Sequence, residues 1–306
     1  MRVIRHRTRW LVLAAAACLA ATACSGAPEG VDGDLTGDWG SFAEPVGFVP
    51  EAGVCHEEPF QPSAPAAEYR PVDCAQPHLV ETVHVGTFEE AAAERDAPPE
   101  AGSSALRAAY RECQKEAAKV LGADFRYGKL WLGVAVPSAA GWEGGARWFR
   151  CDLLETARVY GEPVTREGSL AGALGEDGEP DLALGCFTVE VDDSAVKRMT
   201  PVPCNEPHEA EFVGVYRSGA DDYPEISDED AEGLIHDGCR EQVAKYVDVP
   251  IDGDLVFRTG TIVDWMSEDD WRAGDRGFRC YLWLPDRELT ESLAGDGTDA
   301  LPIQTE

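Results

Sequence analysis

Cys74-Ala75-Gln76-Pro77-His78-Leu79-Val80-Glu81 is answered later in the chain by Cys204-Asn205-Glu206-Pro207-His208-Glu209-Ala210-Glu211. The two stretches share Cys, Pro, His and Glu at the same offsets. Each lies at the second cysteine of a row of four: Cys55, Cys74, Cys113 and Cys151, then Cys186, Cys204, Cys239 and Cys280. The intervals are 19, 39 and 38 residues in the first row and 18, 35 and 41 in the second. Before the last cysteine of each row, Trp142, Gly145, Arg147 and Arg150 answer Trp271, Gly274, Arg276 and Arg279. Two local motifs at matching places in two regions identify a duplication.

The elements between the motifs repeat as well. Glu81, Val83 and Val85 alternate as strand residues do, and so do Glu211, Val213 and Val215. A helical stripe follows: Leu106, Tyr110, Cys113, Ala117 and Val120 in the first region, with Gly122 to end it. In the second region Leu234, Ile235, Cys239, Val243 and Tyr246 form the stripe, and Ser227 with Asp230 reads as its capping box. Apolar runs at 130–136 and 261–265 then read as strands. The expected fold class is α+β: two tandem diverged repeats, each a small disulfide-stapled antiparallel sheet with one main helix.

A basic head (Arg2, Arg5, Arg7, Arg9) precedes an apolar run from Trp10 to Ala23, too short for a membrane span of roughly 20 residues and built like a signal peptide. The run ends Ala21-Thr22-Ala23-Cys24-Ser25-Gly26, which resembles a bacterial lipobox that places a diacylglycerol on Cys24. The same residues suit ordinary cleavage and free secretion, but cysteine parity speaks for lipidation. Eight of the 10 cysteines lie beyond residue 50 and can pair completely, Cys18 leaves with the leader, and Cys24 is left over. The chain therefore divides into a signal peptide (1–23), a lipid-anchored flexible tether (24–50), repeat 1 (51–158), a linker (159–180), repeat 2 (181–287) and a flexible tail (288–306). The expected location is the extracytoplasmic face of the cell membrane, with the outer leaflet as a partner through the lipid.

Four cysteines per repeat allow three pairings, and chain proximity alone favours first with second and third with fourth. Zinc is the competing use, but zinc knuckles bring cysteines in Cys-x-x-Cys pairs, which this chain lacks. The net charge is −31, which argues against nucleic acid as a partner. No phosphate-cradling glycine loop, nucleophile elbow or dinucleotide fingerprint occurs. Ser194-Ala195-Val196-Lys197 has the Ser-x-x-Lys spacing of penicillin-binding enzymes without their other two elements, and we set it aside.

The constellation Cys…Cys-x-x-Pro-His-x-x-Glu…Cys…Trp-x-x-Gly-x-Arg…Cys resembles the septum formation family of actinobacterial envelope proteins. The resemblance implies a place in the cell envelope and a part in division or cell-wall assembly, with envelope or division proteins as partners, and names no reaction. The candidate binding residues are the motif residues themselves: His78 with Glu81, His208 with Glu211, Trp142 with Arg147, and Trp271 with Arg276. Against an acid–base or metal role stands the simpler reading that each His–Glu pair satisfies backbone groups at a turn beside a disulfide. Likewise each Trp–Arg pair could stack on a ligand or plug the core. His56 and His84 have no counterpart in repeat 2. The expectation is a non-catalytic binding or scaffold module without cofactor or metal. The alternatives are an envelope hydrolase or metal-dependent enzyme using His78/Glu81 and His208/Glu211, and a small-ligand or stress-sensing lipoprotein.

Overall fold

Strand pairing follows the alternation read from the sequence, and the cysteines point the two faces. The computed structural model describes residues 47–304 apart from Ser194 and Ile226. The leader, Cys24 and the tether up to residue 46 lie outside the described residues, as does Ser194. In the first half, β1 (Val54–His56), β2 (Ser63–Ala64), β3 (Val80–Thr87), β4 (Leu130–Pro137) and β5 (Trp148–Glu155) form one sheet in the order β1-β3-β5-β4-β2. In the second, β6 (Cys186–Asp192), β7 (Ala195–Val202), β8 (Ala210–Arg217), β9 (Gly260–Asp264) and β10 (Gly277–Trp283) form another in the order β7-β6-β8-β10-β9. Four strands thus recur in the same order, β1-β3-β5-β4 and β6-β8-β10-β9, and each sheet adds a fifth strand at the opposite edge. All pairs are antiparallel except the two-residue contact of β2 with β4.

The registers agree in detail. Thr82 faces Asp152 and His84 faces Cys151, so Val83 is the extra residue of a bulge. Phe212 faces Tyr281 and Gly214 faces Cys280, which makes Val213 the extra residue at the matching place. A bulge re-aims side chains, and its recurrence keeps the glutamate of both motifs on the helix side of its sheet.

One long helix covers each sheet: α1 (Ser104–Leu121) and α3 (Glu229–Val247). Ser103 caps α1 by accepting from the Leu106 N–H, and Gly122 ends it in the left-handed region. Asp228, not Ser227, caps α3, and Leu234, counted in its stripe, is exposed. Disulfide Cys113–Cys151 ties α1 to β5, and Cys239–Cys280 ties α3 to β10. Cys55–Cys74 and Cys186–Cys204 close the strand loops ahead of each Pro-His motif. These are the pairings that proximity favoured. Two short helices, α2 (Ala139–Glu143) and α4 (Glu268–Ala273), carry the tryptophans of the closing motif.

The segments expected as linker and tail are folded. Leu170, Ala173 and Leu182 are buried in the core beneath α1, and Leu289, Leu293 and Leu301 in the core beneath α3. Each half therefore extends past its last cysteine by one returning segment. The halves also interlock. Arg126, fully buried, donates to Asp275 from Nε at 3.1 Å, and Tyr110 donates to the other oxygen of that carboxylate at 3.2 Å. Trp131 Nε1 donates to Asp270 at 2.8 Å.

Candidate functional site

The Pro-His-x-x-Glu motifs bind the returning segments. In each, the proline turn brings the His ring back on its own backbone: His78 Nδ1–H donates to the Gln76 carbonyl at 2.7 Å, and His208 Nδ1–H to that of Glu206 at 2.8 Å. A carbonyl can only accept, so Nδ1 carries the proton in both. The histidine backbones pair with Arg166 and Leu289 of the returning segments. Three residues on, Glu81 accepts from the Ser169 hydroxyl at 2.7 Å and the Leu170 N–H at 2.6 Å. Glu211 accepts from the Ser292 hydroxyl at 2.9 Å, the Leu293 N–H at 3.0 Å and the Tyr246 hydroxyl at 2.7 Å. His208 Nε2 lies 3.4 Å from the same carboxylate. Each glutamate thus anchors a Ser-Leu turn by charge-assisted bonds inside the protein.

All four of these side chains are buried. The neighbouring cysteines Cys55, Cys74 and Cys186, which come close enough to suggest metal ligands, are locked in disulfides and offer no thiolate. The tryptophan motif is equally inward. Trp142 and Trp271 are buried, and the guanidinium groups of Arg147 and Arg276 stack on them at 4.1 and 3.7 Å. Those guanidinium groups then donate to the carbonyls of Trp142 and Trp271 at 2.7 Å each. The duplicated motifs therefore spend their chemistry on internal partners, and none of the buried six presents a surface to a ligand.

The halves differ on the sheet face turned away from the helices. In the first half, Thr82 Oγ1 donates to Asp152 at 2.8 Å, so its lone pair accepts from His56 Nε2–H at 3.1 Å. Arg150 donates to the other Asp152 oxygen at 2.8 Å. The His56 imidazole is held down at about 4 by burial and next by the Arg150 charge, so it is neutral near pH 7. Burial pushes the Asp152 carboxyl up, while Arg150 and Thr82 oppose it. Above this floor opens a cavity of about 270 Å³ lined by Phe48, Tyr69, Trp148, Arg150, Glu58 and Glu68 among others. Phe48, Tyr69 and Trp148 pack edge to face, at centroid distances of 4.9 and 6.3 Å from the Phe48 ring.

By the shared register, the second half has Phe212 where the first has Thr82, and Tyr281 where it has Asp152. Phe187, the residue after Cys186, replaces His56. These rings pack on one another at 5.4 and 5.6 Å. Their face is closed: Tyr127 of the first half packs on Phe212 at 5.2 Å, and Arg279 donates to the carbonyls of Arg126 and Leu130 at 2.9 Å. Gly277 stands where the first half has Trp148, and the space a Cβ would need there is filled by the Arg126 guanidinium. One outer face is thus an aromatic seam between the halves, and the other is a polar floor under an open cavity.

A family model described as septum formation matches residues 52–280, which spans both halves. The chain belongs to the septum formation family. Its function is accordingly septum-related and concerns the cell envelope. No curated protein and no solved structure matches the chain. Among the described residues no helix is long and apolar enough to cross a membrane.

The cavity residues carry no sequence motif: His56 is a histidine without a counterpart, and Thr82, Asp152 and Trp148 belong to no pattern. The signal that could have found them is the comparison of the repeats itself: four matched positions change from His, Thr, Asp and Trp to Phe, Phe, Tyr and Gly.

Proposed function

We propose that the mature chain is a lipid-anchored, non-catalytic binding module on the outer face of the cell membrane, and that it serves septum formation or cell-wall assembly by holding a ligand in the cavity of its first half. The observation that carries this reading is the asymmetry of the two outer faces. A duplicated unit that closes one face with aromatic residues has kept a buried polar network and an open cavity on the other. A concave, largely apolar site with a few convergent polar groups is the usual form of a small-ligand site.

Anchoring is supported by cysteine parity, since the four disulfides account for every cysteine beyond Cys24. A non-catalytic role is supported by the floor chemistry. Thr82, the hydroxyl nearest to His56, is buried and directs its proton to Asp152, so His56 has no nucleophile to activate. The carboxylates of the two Pro-His motifs are likewise committed to backbone and hydroxyl donors.

The test is imaging of a functional fluorescent fusion in dividing cells of the native host, beside its Cys24→Ala counterpart. The reading expects envelope fluorescence enriched at the division site, dispersed into the medium or the space beyond the membrane when Cys24 is replaced. Fluorescence that stays in the cytoplasm, or that Cys24→Ala leaves unchanged on the membrane, contradicts it.

A further inference from the structure

We infer that the cavity of the first half takes a monocarboxylate: a small molecule or chain end with its carboxylate on Arg150 and a compact apolar body against Phe48, Tyr69 and Trp148. This rests on reading that cavity as the binding face.

The head group follows from the donor count of one guanidinium. Arginine has five N–H groups in a rigid planar fork. Arg150 donates from Nε to one Asp152 oxygen at 2.8 Å, and its Nη2 lies 2.8 Å from the same oxygen as an ion pair. That uses one edge of the fork. The other edge, Nη1 with the second N–H of Nη2, has no partner among the described residues, although the side chain is only 9% exposed. Two parallel N–H groups at the floor of the cavity match the two oxygens of a carboxylate. Asp152 cannot swing round to fill the edge, because Thr82 holds its second oxygen from the far side. Unlike a lone charge, the guanidinium stays fixed in plane, which leaves it ready to bind without reorganisation.

The cavity walls set the rest of the ligand. Phe48, Tyr69 and Trp148 form a continuous aromatic wall, with Pro59 and Pro65 beside it. A volume of about 270 Å³ holds on the order of a dozen non-hydrogen atoms. The lining sets Glu58 and Glu68 against Arg70 and Arg150, and a chain of net charge −31 disfavours polyanions. A single carboxylate suits that balance better than a polyanion does. His56, neutral and bonded to Thr82, adds no charge of its own to the floor.

The experiment is an NMR titration of the mature full-length chain, carrying Cys24→Ala and with its disulfides formed. The probes are N-acetyl-leucine, its amide N-acetyl-leucinamide, and N-acetylglucosamine as a neutral sugar. The Trp148 indole N–H, assigned by Trp148→Phe, and the His56 ring signals report the cavity. N-acetyl-leucine is expected to shift them saturably, and the amide to bind at least roughly tenfold more weakly. Arg150→Lys keeps a cation for Asp152 but loses the fork, and should weaken the acid by about the same factor while leaving the amide unchanged. If that variant does not fold, the acid–amide comparison on the unaltered cavity decides alone. Equal binding of acid and amide overturns the carboxylate assignment, as does the absence of acid binding at about 50 mM. Sugar binding without acid binding overturns the ligand class while leaving the cavity as the binding face.

Discussion

Replacing Glu211 with alanine should unfasten the C-terminal segment, and the structure sets the size of the effect. The carboxylate is fully buried and accepts from three donors, the Leu293 N–H and the Ser292 and Tyr246 hydroxyls. Hydrogen bonds to a charged group contribute about 1.5–3 kcal/mol each, and a buried donor left without a partner costs about 1–3 kcal/mol. The lost bonds are partly offset, because an ionised carboxylate no longer has to be dehydrated. The net expectation is a loss of about 4 kcal/mol, at the upper end of single-residue effects. Glu81→Ala removes two donors' worth of anchoring rather than three, so its loss should be smaller, about 3 kcal/mol. Guanidinium unfolding measures the totals, and amide hydrogen exchange shows where the loss falls. Leu293 and Leu170 should lose protection in their respective variants while α1 and α3 keep most of theirs. A cost below about 1 kcal/mol for Glu211→Ala, or unchanged protection at Leu293, would refute the anchoring argument.

Three further outcomes follow from the same geometry. His56 has a folded-state pKa depressed to about 4 against an ordinary 6.5, so the unfolded chain binds its proton first and stability is lost as pH falls through that window. The loss attributable to His56 is on the order of 3 kcal/mol, it runs opposite to the gain from Asp152, and urea unfolding of His56→Phe should show it removed. Opening Cys113–Cys151 by paired serine substitutions should cost about 4 kcal/mol by loop entropy, and opening Cys55–Cys74 about 3 kcal/mol, because the first closes the longer loop; equal costs would count against the entropic account. Gly277→Ala places a Cβ 2.4 Å from Arg126 Nε, on a side chain pinned by Asp275, and should lose about 2 kcal/mol in thermal unfolding.

Much of the architecture was readable because it repeats. The alternation after each Pro-His motif located a strand, and the apolar stripes at Leu106–Val120 and Leu234–Tyr246 located the long helices. What escaped has no periodicity to read. Each returning segment is an irregular stretch held by a buried carboxylate, a backbone pair with a motif histidine and a few residues in the core. Their one mark is short: Gly168-Ser169-Leu170-Ala171-Gly172 and Glu291-Ser292-Leu293-Ala294-Gly295 share Ser-Leu-Ala-Gly. With it, the glutamates of the Pro-His motifs find their partners. The hairpin of β6 with β7 was hidden because β7 is almost wholly exposed and shows no buried face. The candidate site was hidden for a different reason. Residues that recur in both halves maintain the fold common to both, and here those are His78, Glu81, Trp142 and Arg147 with their counterparts. A site peculiar to one half lies where the halves disagree, at His56, Thr82, Asp152 and Trp148.

The central claim is that the open cavity of the first half is the working face of the protein. Its most direct measurement is complementation, in cells lacking the chain, by a variant that fills the cavity, Ala64→Trp, beside a matched exposed substitution on the second half, Val196→Trp. Both proteins are first shown by circular dichroism and thermal unfolding to be folded. The account predicts that Val196→Trp restores normal septa while Ala64→Trp leaves the division defect in place, although it is folded and correctly located. Full rescue by Ala64→Trp would contradict it, and would move the search to the surface of the second half.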